Sequence, residues 1–473
     1  MTTPGSTSRR PPVAIVGAGI AGLVAARELR RRGIPVVVFE ASAQVAGMAK
    51  TVRDKDGFSY DVGAHFITNR LAREIGVADV CRTVRWYGET VVLGGSSYSY
   101  PFGLMRSPRF LRDAIAARIP GRAPVHPPRS AAECFRREYG ERLANEIAIP
   151  LVEAWSGAPA DELSPAVVEK LAGGALQTAW LKVASRLTRR AVASGYCREQ
   201  PESVRVWHVY PEAGVSTLCD HLARDLTDAV RLETPVEKIL VHDGRAVGVR
   251  VKGVEQEASA VISTAPVHIL SRLVEGTTAL DHLARFRYRP MVFVNLRLTG
   301  RNLLPDVVTW TPESRFPFFR LTEGPRSMPW LAPEGKTIIT VDIGCNVGDE
   351  IWKMPEEQLS ELCLDHLEPI IPRIRRRFLG AHVARTPIAY PIFLNEYEAD
   401  RQRLEQSTGV AGLYSIGRNG EFAHILMEDI YWRTLRRMHQ LTVDVDGARG
   451  ATTPSHAFVG GVPQARVDVV GHR

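Results

Sequence analysis

The chain opens with a change of hydrophobic period. Val13-Ala14-Ile15-Val16 is an unbroken, β-rich apolar run that predicts a short strand. From Ile20 the apolar positions recur at helical spacing, with Ile20, Leu23, Val24 and Leu29 on one side and charges from Arg27 onward. A second apolar run, Val36-Val37-Val38-Phe39, ends in Glu40. Farther on, a helical run to about Leu226 precedes strand-like pieces at Val230–Leu232, Val236–Val241, Ala246–Val251 and Ala260–Ser263. Alternation at Val292–Leu296 and Thr337–Val341 predicts a sheet forming one wall of a pocket. The stretch 81–204 reads as largely helical, with Pro/Arg-rich breaks around 120–130. Residues 1–10 and roughly 446–473 read as polar, Gly-rich tails, and no internal repeat interrupts the pattern.

Between the first strand and its helix lies Gly17-Ala18-Gly19-Ile20-Ala21-Gly22. Strand, glycine loop, helix, strand and acid together suit a dinucleotide. Gly17 lets the chain turn sharply, bare Gly19 admits a pyrophosphate to the backbone, and Gly22 lets the helix pack closely on the sheet. The helix N-terminus offers free N–H groups and the positive end of its dipole to the phosphates. Glu40, 18 residues after Gly22, stands where a carboxylate can accept from ribose hydroxyls. An acid there argues against a 2′-phosphate, and so against NADP.

Composition narrows the class. At 473 residues, 45% hydrophobic and 24% charged, the chain suits two or three globular domains. No apolar stretch is long enough to span a membrane. Arg9-Arg10 ahead of an apolar run raises a twin-arginine export signal, but the phosphate-loop glycines inside that run favour fold over signal. The net charge of +8 comes from arginine. It invites nucleic acid, a membrane surface or an anionic ligand as partners. No nucleic-acid-binding signature accompanies it, and a solvated arginine-rich surface is the simplest reading. Six scattered cysteines without a CxxC pair suggest a reducing compartment, here the cytoplasm, and no metal site. Neither GxSxG nor HExxH occurs.

Three separated blocks resemble the flavin amine oxidase superfamily, particularly its protoporphyrinogen oxidase-like and UDP-galactopyranose mutase-like branch. The first joins Glu40-Ala41 to Ala46-Gly47-Met48-Ala49-Lys50-Thr51 and to Phe58–Phe66, which includes Gly63, Ala64 and His65. Ala46 and Ala64 stand where the family has glycines. The second is Tyr210–Val215 with the following strands, where Val236 matches the valine that meets adenine through its backbone. The third, Gly412–Phe422, resembles the closing motif. It puts Gly417 and Arg418 near the pyrophosphate and the amides of Leu426 and Met427 at the pyrimidine end of the flavin. The resemblance implies non-covalent FAD, since no cysteine lies in that motif. It also implies an α/β fold, with a discontinuous Rossmann-like FAD-binding domain (11–80, 205–270, 380–445) beside a mixed α+β substrate-binding domain (81–204, 271–379).

The flavin would carry the redox step, so the catalytic set is short. His65 either touches the flavin or holds its loop. Arg320, in an apolar stretch, needs an anionic substrate group or a structural carboxylate. Tyr390, with Asn395 and Tyr397, could flank a substrate or simply pack, as could Trp155. The lysine that amine oxidases hold near the flavin has only Lys336 and Lys353 as counterparts, and Lys336 reads as a turn residue. The expected activity is hydride removal from a small or specialised-metabolite substrate, anionic or not, by an oxidase, dehydrogenase or desaturase. The alternatives are a flavin-dependent sugar mutase or isomerase without net redox change, and a non-catalytic FAD-binding or membrane-surface protein contacting lipid through Phe102–Arg129, which mixes arginines with Leu104, Met105, Phe110, Leu111 and Ile115.

Overall fold

A computed structural model describes residues 11–63, 65–100, 102–117, 126–168 and 175–447. The Val13–Val16 run is apolar throughout because both of its faces are covered. Val13 and Ile15 join the core under the helix Ile20–Arg31, while Ala14 and Val16 join one with Ile239, Val241 and Val249. This strand is central in a five-stranded parallel sheet ordered Val230–Arg231, Val36–Phe39, Val13–Val16, Ala260–Ser263, Leu413–Ser415. Strands far apart in sequence thus share one sheet. The helix Ile20–Arg31 covers one face and the long helix Met427–Gly447 packs on it. A four-stranded sheet built on Val236–His242 and Arg245–Val251 covers the other.

A second, seven-stranded sheet stands beside this unit, ordered Phe378–Pro391, Tyr288–Thr299, Lys336–Gly344, Arg320–Thr322, Val308–Trp310, Glu89–Leu93, Ser96–Ser99. Every pair is antiparallel except Val308–Trp310 with Glu89–Leu93. Alternation along Tyr288–Thr299 divides its labour. Val292, Val294, Leu296 and Leu298 pack against Leu359, Cys363, Leu364 and Leu367 of the helix Glu356–Leu367. Met291 and Phe293 turn the other way, toward Phe319, Ala389, Trp155, Trp310 and Tyr390. One face is therefore sealed, and the other forms the aromatic wall of the site.

The stretch read as largely helical does contain the helices Pro108–Ala116, Ala131–Tyr139, Ile149–Ser156 and Ala175–Thr188. It also contributes strands. Cys81–Thr83 pairs with His208–Pro211, and Glu89–Leu93 hairpins with Ser96–Ser99 through Gly94-Gly95, both at positive φ (58° and 76°). A Gly-Gly pair between short β-prone runs is a hairpin signal. The tails read at 1–10 and 446–473 lie outside the described residues, except that the C-terminal helix runs on to Gly447.

Candidate active site

The glycine loop is shaped by close approach. Gly17 has φ +98° and donates its amide to the Phe39 carbonyl at 2.8 Å. A Cβ on Gly22 would stand 2.0 Å from the Gly17 carbonyl oxygen, so only glycine fits. A Cβ on Gly19 would meet nothing within 4 Å, which leaves open space at the N-terminus of the helix, where Ile20 and Ala21 are buried in its first turn. Glu40 Oε2 accepts from the Ala18 amide at 2.7 Å, and Oε1 accepts from the Ser42 amide at 2.9 Å and hydroxyl at 2.7 Å. Ala41 lies in the bend these bonds close. The carboxylate is thus fixed at the rim of the loop. The Glu40 carbonyl accepts from the Thr234 amide at 2.8 Å, which brings the start of the Val236 strand to the same rim.

The Ala46-Gly47 pair folds back on this loop. The Ala46 amide donates to the Ala18 carbonyl at 3.0 Å, and a Cβ on Gly47 would come within 3.6 Å of the Gly19 α-carbon. Ala46 sits at φ +107°, a conformation that strains any residue with a Cβ. Replacing the family's glycine there preserves the loop at the cost of backbone strain. Ala49 is buried, whereas Met48 is exposed and its sulfur accepts from the Thr386 hydroxyl at 3.7 Å. Ala64 lies outside the described residues.

Asp61 ties together segments distant in sequence. Its carboxylate accepts from the Thr51 and Tyr210 hydroxyls, each at 2.6 Å, and the Val215 amide donates to Thr51 Oγ1 at 2.7 Å. Burial, and then the Asp61 charge, hold the Tyr210 hydroxyl well above its usual pKa. His65 Nδ1 lies 3.4 Å from Asp61 Oδ2. Gly63, at φ +94°, packs toward Phe293, and a pocket is lined by Asp61, Gly63, His65, Thr322, Met328 and Thr340.

The inner wall gathers charge and aromatic rings. Arg320 forms a buried ion pair with Asp342, its partner in register on the neighbouring strand, and also donates to the Tyr390 hydroxyl at 3.3 Å. Burial works against the Arg320 charge, but Asp342 outweighs it and the guanidinium's pKa rises. Burial likewise pushes Asp342 above the usual carboxylate range, with Arg320 opposing. Trp155 stacks on Tyr390 (5.6 Å, 20°), and His424 lies 4.8 Å from Trp155 and 5.3 Å from Tyr390. Arg418 crosses the Tyr390 ring at 5.1 Å and donates to the Ala389 carbonyl at 3.1 Å. Burial lowers its pKa, with Tyr390 opposing the shift and Arg320 adding to it. No carboxylate pairs with Arg418 among the described residues. Asp342 Oδ1, His65 Nδ1 and the Nε atoms of Arg320 and Arg418 are all buried without a hydrogen-bond partner.

Several sequence expectations change place here. The buried Arg320 has a structural carboxylate. The Gly417 backbone does abut the glycine-loop helix, since a Cβ there would lie 2.7 Å from that of Ala21, but the Arg418 side chain turns toward Tyr390. The Leu426 amide donates to Asp429 Oδ2 at 3.3 Å, a helix-capping bond, so a ligand would compete for that donor, whereas Met427 opens the helix itself. Tyr397 bonds the Arg285 carbonyl and stacks on Phe286, and Asn395 bonds the Asp161 carbonyl, so both serve packing. Lys336 begins its strand from a turn closed on Pro333. Sequence reasoning missed Asp342, His424 and Trp310. An acid in the apolar strand Lys336–Gly344 was the available signal for Asp342.

Comparison with known proteins agrees with this geometry. Residues 20–429 match the family described as flavin containing amine oxidoreductase. The zeta-carotene-forming phytoene desaturase of Myxococcus xanthus is 24% identical over 87% of this chain and 83% of its own length. Protoporphyrinogen oxidase 2 of Arabidopsis thaliana is 27% identical, but the match spans only 34% of that protein and 32% of this chain. Among solved structures, a reduced UDP-galactopyranose mutase superposes with a TM-score of 0.73 at 18% identity, covering 91% of this chain and 95% of its own. A putative protoporphyrinogen oxidase from Exiguobacterium sp. 255-15 gives 0.71 at 16% identity, covering 93% and 100%. These structural likenesses establish the fold, and the family match establishes membership: the chain belongs to the flavin-containing amine oxidoreductases.

Proposed function

We propose that this protein is an FAD-dependent oxidoreductase that removes a hydride from a C–H bond of a small substrate and holds its FAD non-covalently. The observation that carries this reading is the assembled cradle. Open space at Gly19 faces a helix N-terminus, the Glu40 carboxylate is fixed at the loop rim, and Gly417 closes on Ala21. These residues fit a dinucleotide. Glu40 would take the ribose hydroxyls, the amides around Gly19 the pyrophosphate, the Val236 backbone the adenine, and the Met427 end of the long helix the flavin's pyrimidine edge. Bound FAD would supply the hydride acceptor.

The chain's own residues then orient and screen the substrate. Trp155, Tyr390 and His424 give it an aromatic seat. Arg320 is balanced by Asp342, which leaves Arg418 as the cation on this wall to meet an anionic group. His65, steadied by Asp61, stands where it could hold a proton at Nδ1 or Nε2. Scattered cysteines without a disulfide among the described residues support a reducing compartment, and we place the protein in the cytoplasm. Among the described residues no helix is long and apolar enough to cross a membrane.

The structural likeness to the mutase, with Arg418 on the substrate wall, favours one second reading, isomerisation without net redox change. Anaerobic mixing with candidate substrates separates the two. Bleaching of the oxidised flavin supports hydride removal. Turnover only after prior flavin reduction, with no electrons consumed, supports the isomerase.

A further inference from the structure

Behind the cofactor cradle, the two sheets of the cofactor half diverge at their edges and leave a groove of about 490 Å³ between them. One side is the parallel sheet, whose edge strand Val230–Arg231 pairs with Val36–Phe39. The other is Val254–Glu257, the edge strand of the four-stranded sheet. Pro12, Val37, Phe39, Val251 and Val254 give the groove an apolar floor, on which Val254 stays 61% exposed. A groove of this volume takes a small ligand. Gly17, Gly19 and Glu40 are not part of its lining, so it is separate from the cradle.

Its two ends differ in chemistry. Arg231 lies in register with Phe39, and Lys252 follows Val251, the partner of Val236, so Arg231, Thr234 and Lys252 share one end. Gln256 lies at the other end with Pro12, whose carbonyl accepts from the Ser259 amide at 3.0 Å. Among the described residues neither cation has a carboxylate partner. Arg231 donates to the Asp228 carbonyl at 2.7 Å, while the Asp228 carboxylate pairs with Arg30 at 2.5 Å. Lys252 takes φ +50° in the hairpin turn, where asparagine, aspartate or glycine is usual, so the turn carries its cation at a conformational cost. Alternation along Val254–Glu257 puts Val254 and Gln256 on the groove and turns Glu255 away to Arg250, at 2.8 Å. The lining therefore holds two cations, one neutral amide and no acid among the described residues.

From this polarity we infer that the groove is a second nucleotide site, which takes a nucleoside monophosphate. Arg231 and Lys252 meet the phosphate, with the Thr234 hydroxyl beside them. The apolar floor takes the face of the base, and the Gln256 amide, both donor and acceptor, reads its edge. A fatty acid would suit the cations and the floor but would leave the Gln256 amide without a use. The groove also backs directly onto the cradle rim, because the Glu40 amide donates to the Arg231 carbonyl at 2.9 Å and the Glu40 carbonyl accepts from the Thr234 amide at 2.8 Å.

Calorimetric titration of the flavin-loaded protein with AMP tests this, since a filled cradle cannot itself take the adenylate. Saturable binding at one site per chain, weakened by salt and with the flavin retained, is expected. Arg231→Gln/Lys252→Asn should weaken AMP about tenfold or more. Gln256→Leu should weaken AMP about fivefold and leave the binding of inorganic phosphate unchanged. These side chains are exposed and asparagine suits the turn, so both variants should keep the parent's melting temperature and flavin spectrum. No binding of AMP, undiminished binding by both variants, tighter binding of dodecanoate than of AMP, or release of flavin as AMP binds would overturn the proposal. A protein without flavin would instead count against the function proposed above, and its spectrum shows that before any AMP is added.

Discussion

Replacing Asp342 by alanine removes the carboxylate that balances Arg320. Both groups lie inside the substrate wall, and the Asp342 side chain is fully buried. With Asp342→Ala the guanidinium keeps one bond to Tyr390 and one unpartnered Nε, in a place where water cannot replace the lost charge. Leaving one member of a buried pair uncompensated costs about 3–5 kcal/mol. Removing both members with Arg320→Met/Asp342→Leu trades the pair for apolar packing beside Phe293 and Phe319, and should cost no more than about 1–2 kcal/mol. The double variant is therefore expected to be the more stable of the two. Urea unfolding followed by tryptophan fluorescence, at pH 7 and with flavin in excess, measures the difference. Turnover separates the roles further. The double variant should fold, bind flavin and still lose activity, since Arg320 no longer orients Tyr390. A double variant as unstable as Asp342→Ala, or an Asp342→Ala cost below about 1 kcal/mol, would refute the claim that Asp342 is there to balance Arg320.

Three further outcomes follow from the geometry. Glu40→Ala deletes the acceptor shared by Ala18 and Ser42, and should weaken FAD binding to apoprotein by roughly tenfold to a hundredfold in a fluorescence titration, in line with hydrogen bonds to a charged group. Gly22→Ala sets a Cβ against the Gly17 carbonyl, and should give protein that is purified colourless and melts lower, by about 1–3 kcal/mol of stability. Burial among Phe66, Tyr87 and Tyr196 depresses His208 to about 4. Its folded-state pKa lies below its unfolded one, so the unfolded chain binds the extra proton first. Stability should then fall as pH drops from about 6.5 toward 4, by up to about 3 kcal/mol, and His208→Gln should flatten that dependence in pH-resolved melting curves.

The cofactor half of the fold was legible because its signals are local. Tight turning at Gly17, close packing at Gly22 and an acid after the second strand each follow from a few adjacent residues, and the structure gives each the surroundings its sequence implied. The strands around Val236 and Ala246 announced themselves by period in the same way. The substrate wall was not legible, because it is made by register between distant strands. Nothing near Arg320 says that Asp342 will lie opposite it, and nothing near Trp155 says that Tyr390 and His424 will close on it. The contacts of the Arg418 side chain were not legible for the same reason. A motif fixes where its backbone passes, but the long side chain goes where Ala389 and Tyr390 offer contacts.

The most direct test of the central claim is the absorption spectrum of the purified protein, followed by acid precipitation and identification of the released chromophore. A flavin spectrum with FAD released close to one per chain, and none left on the pellet, is the predicted result. A colourless protein that also fails to take up added FAD would contradict it, and flavin retained on the pellet would contradict non-covalent attachment.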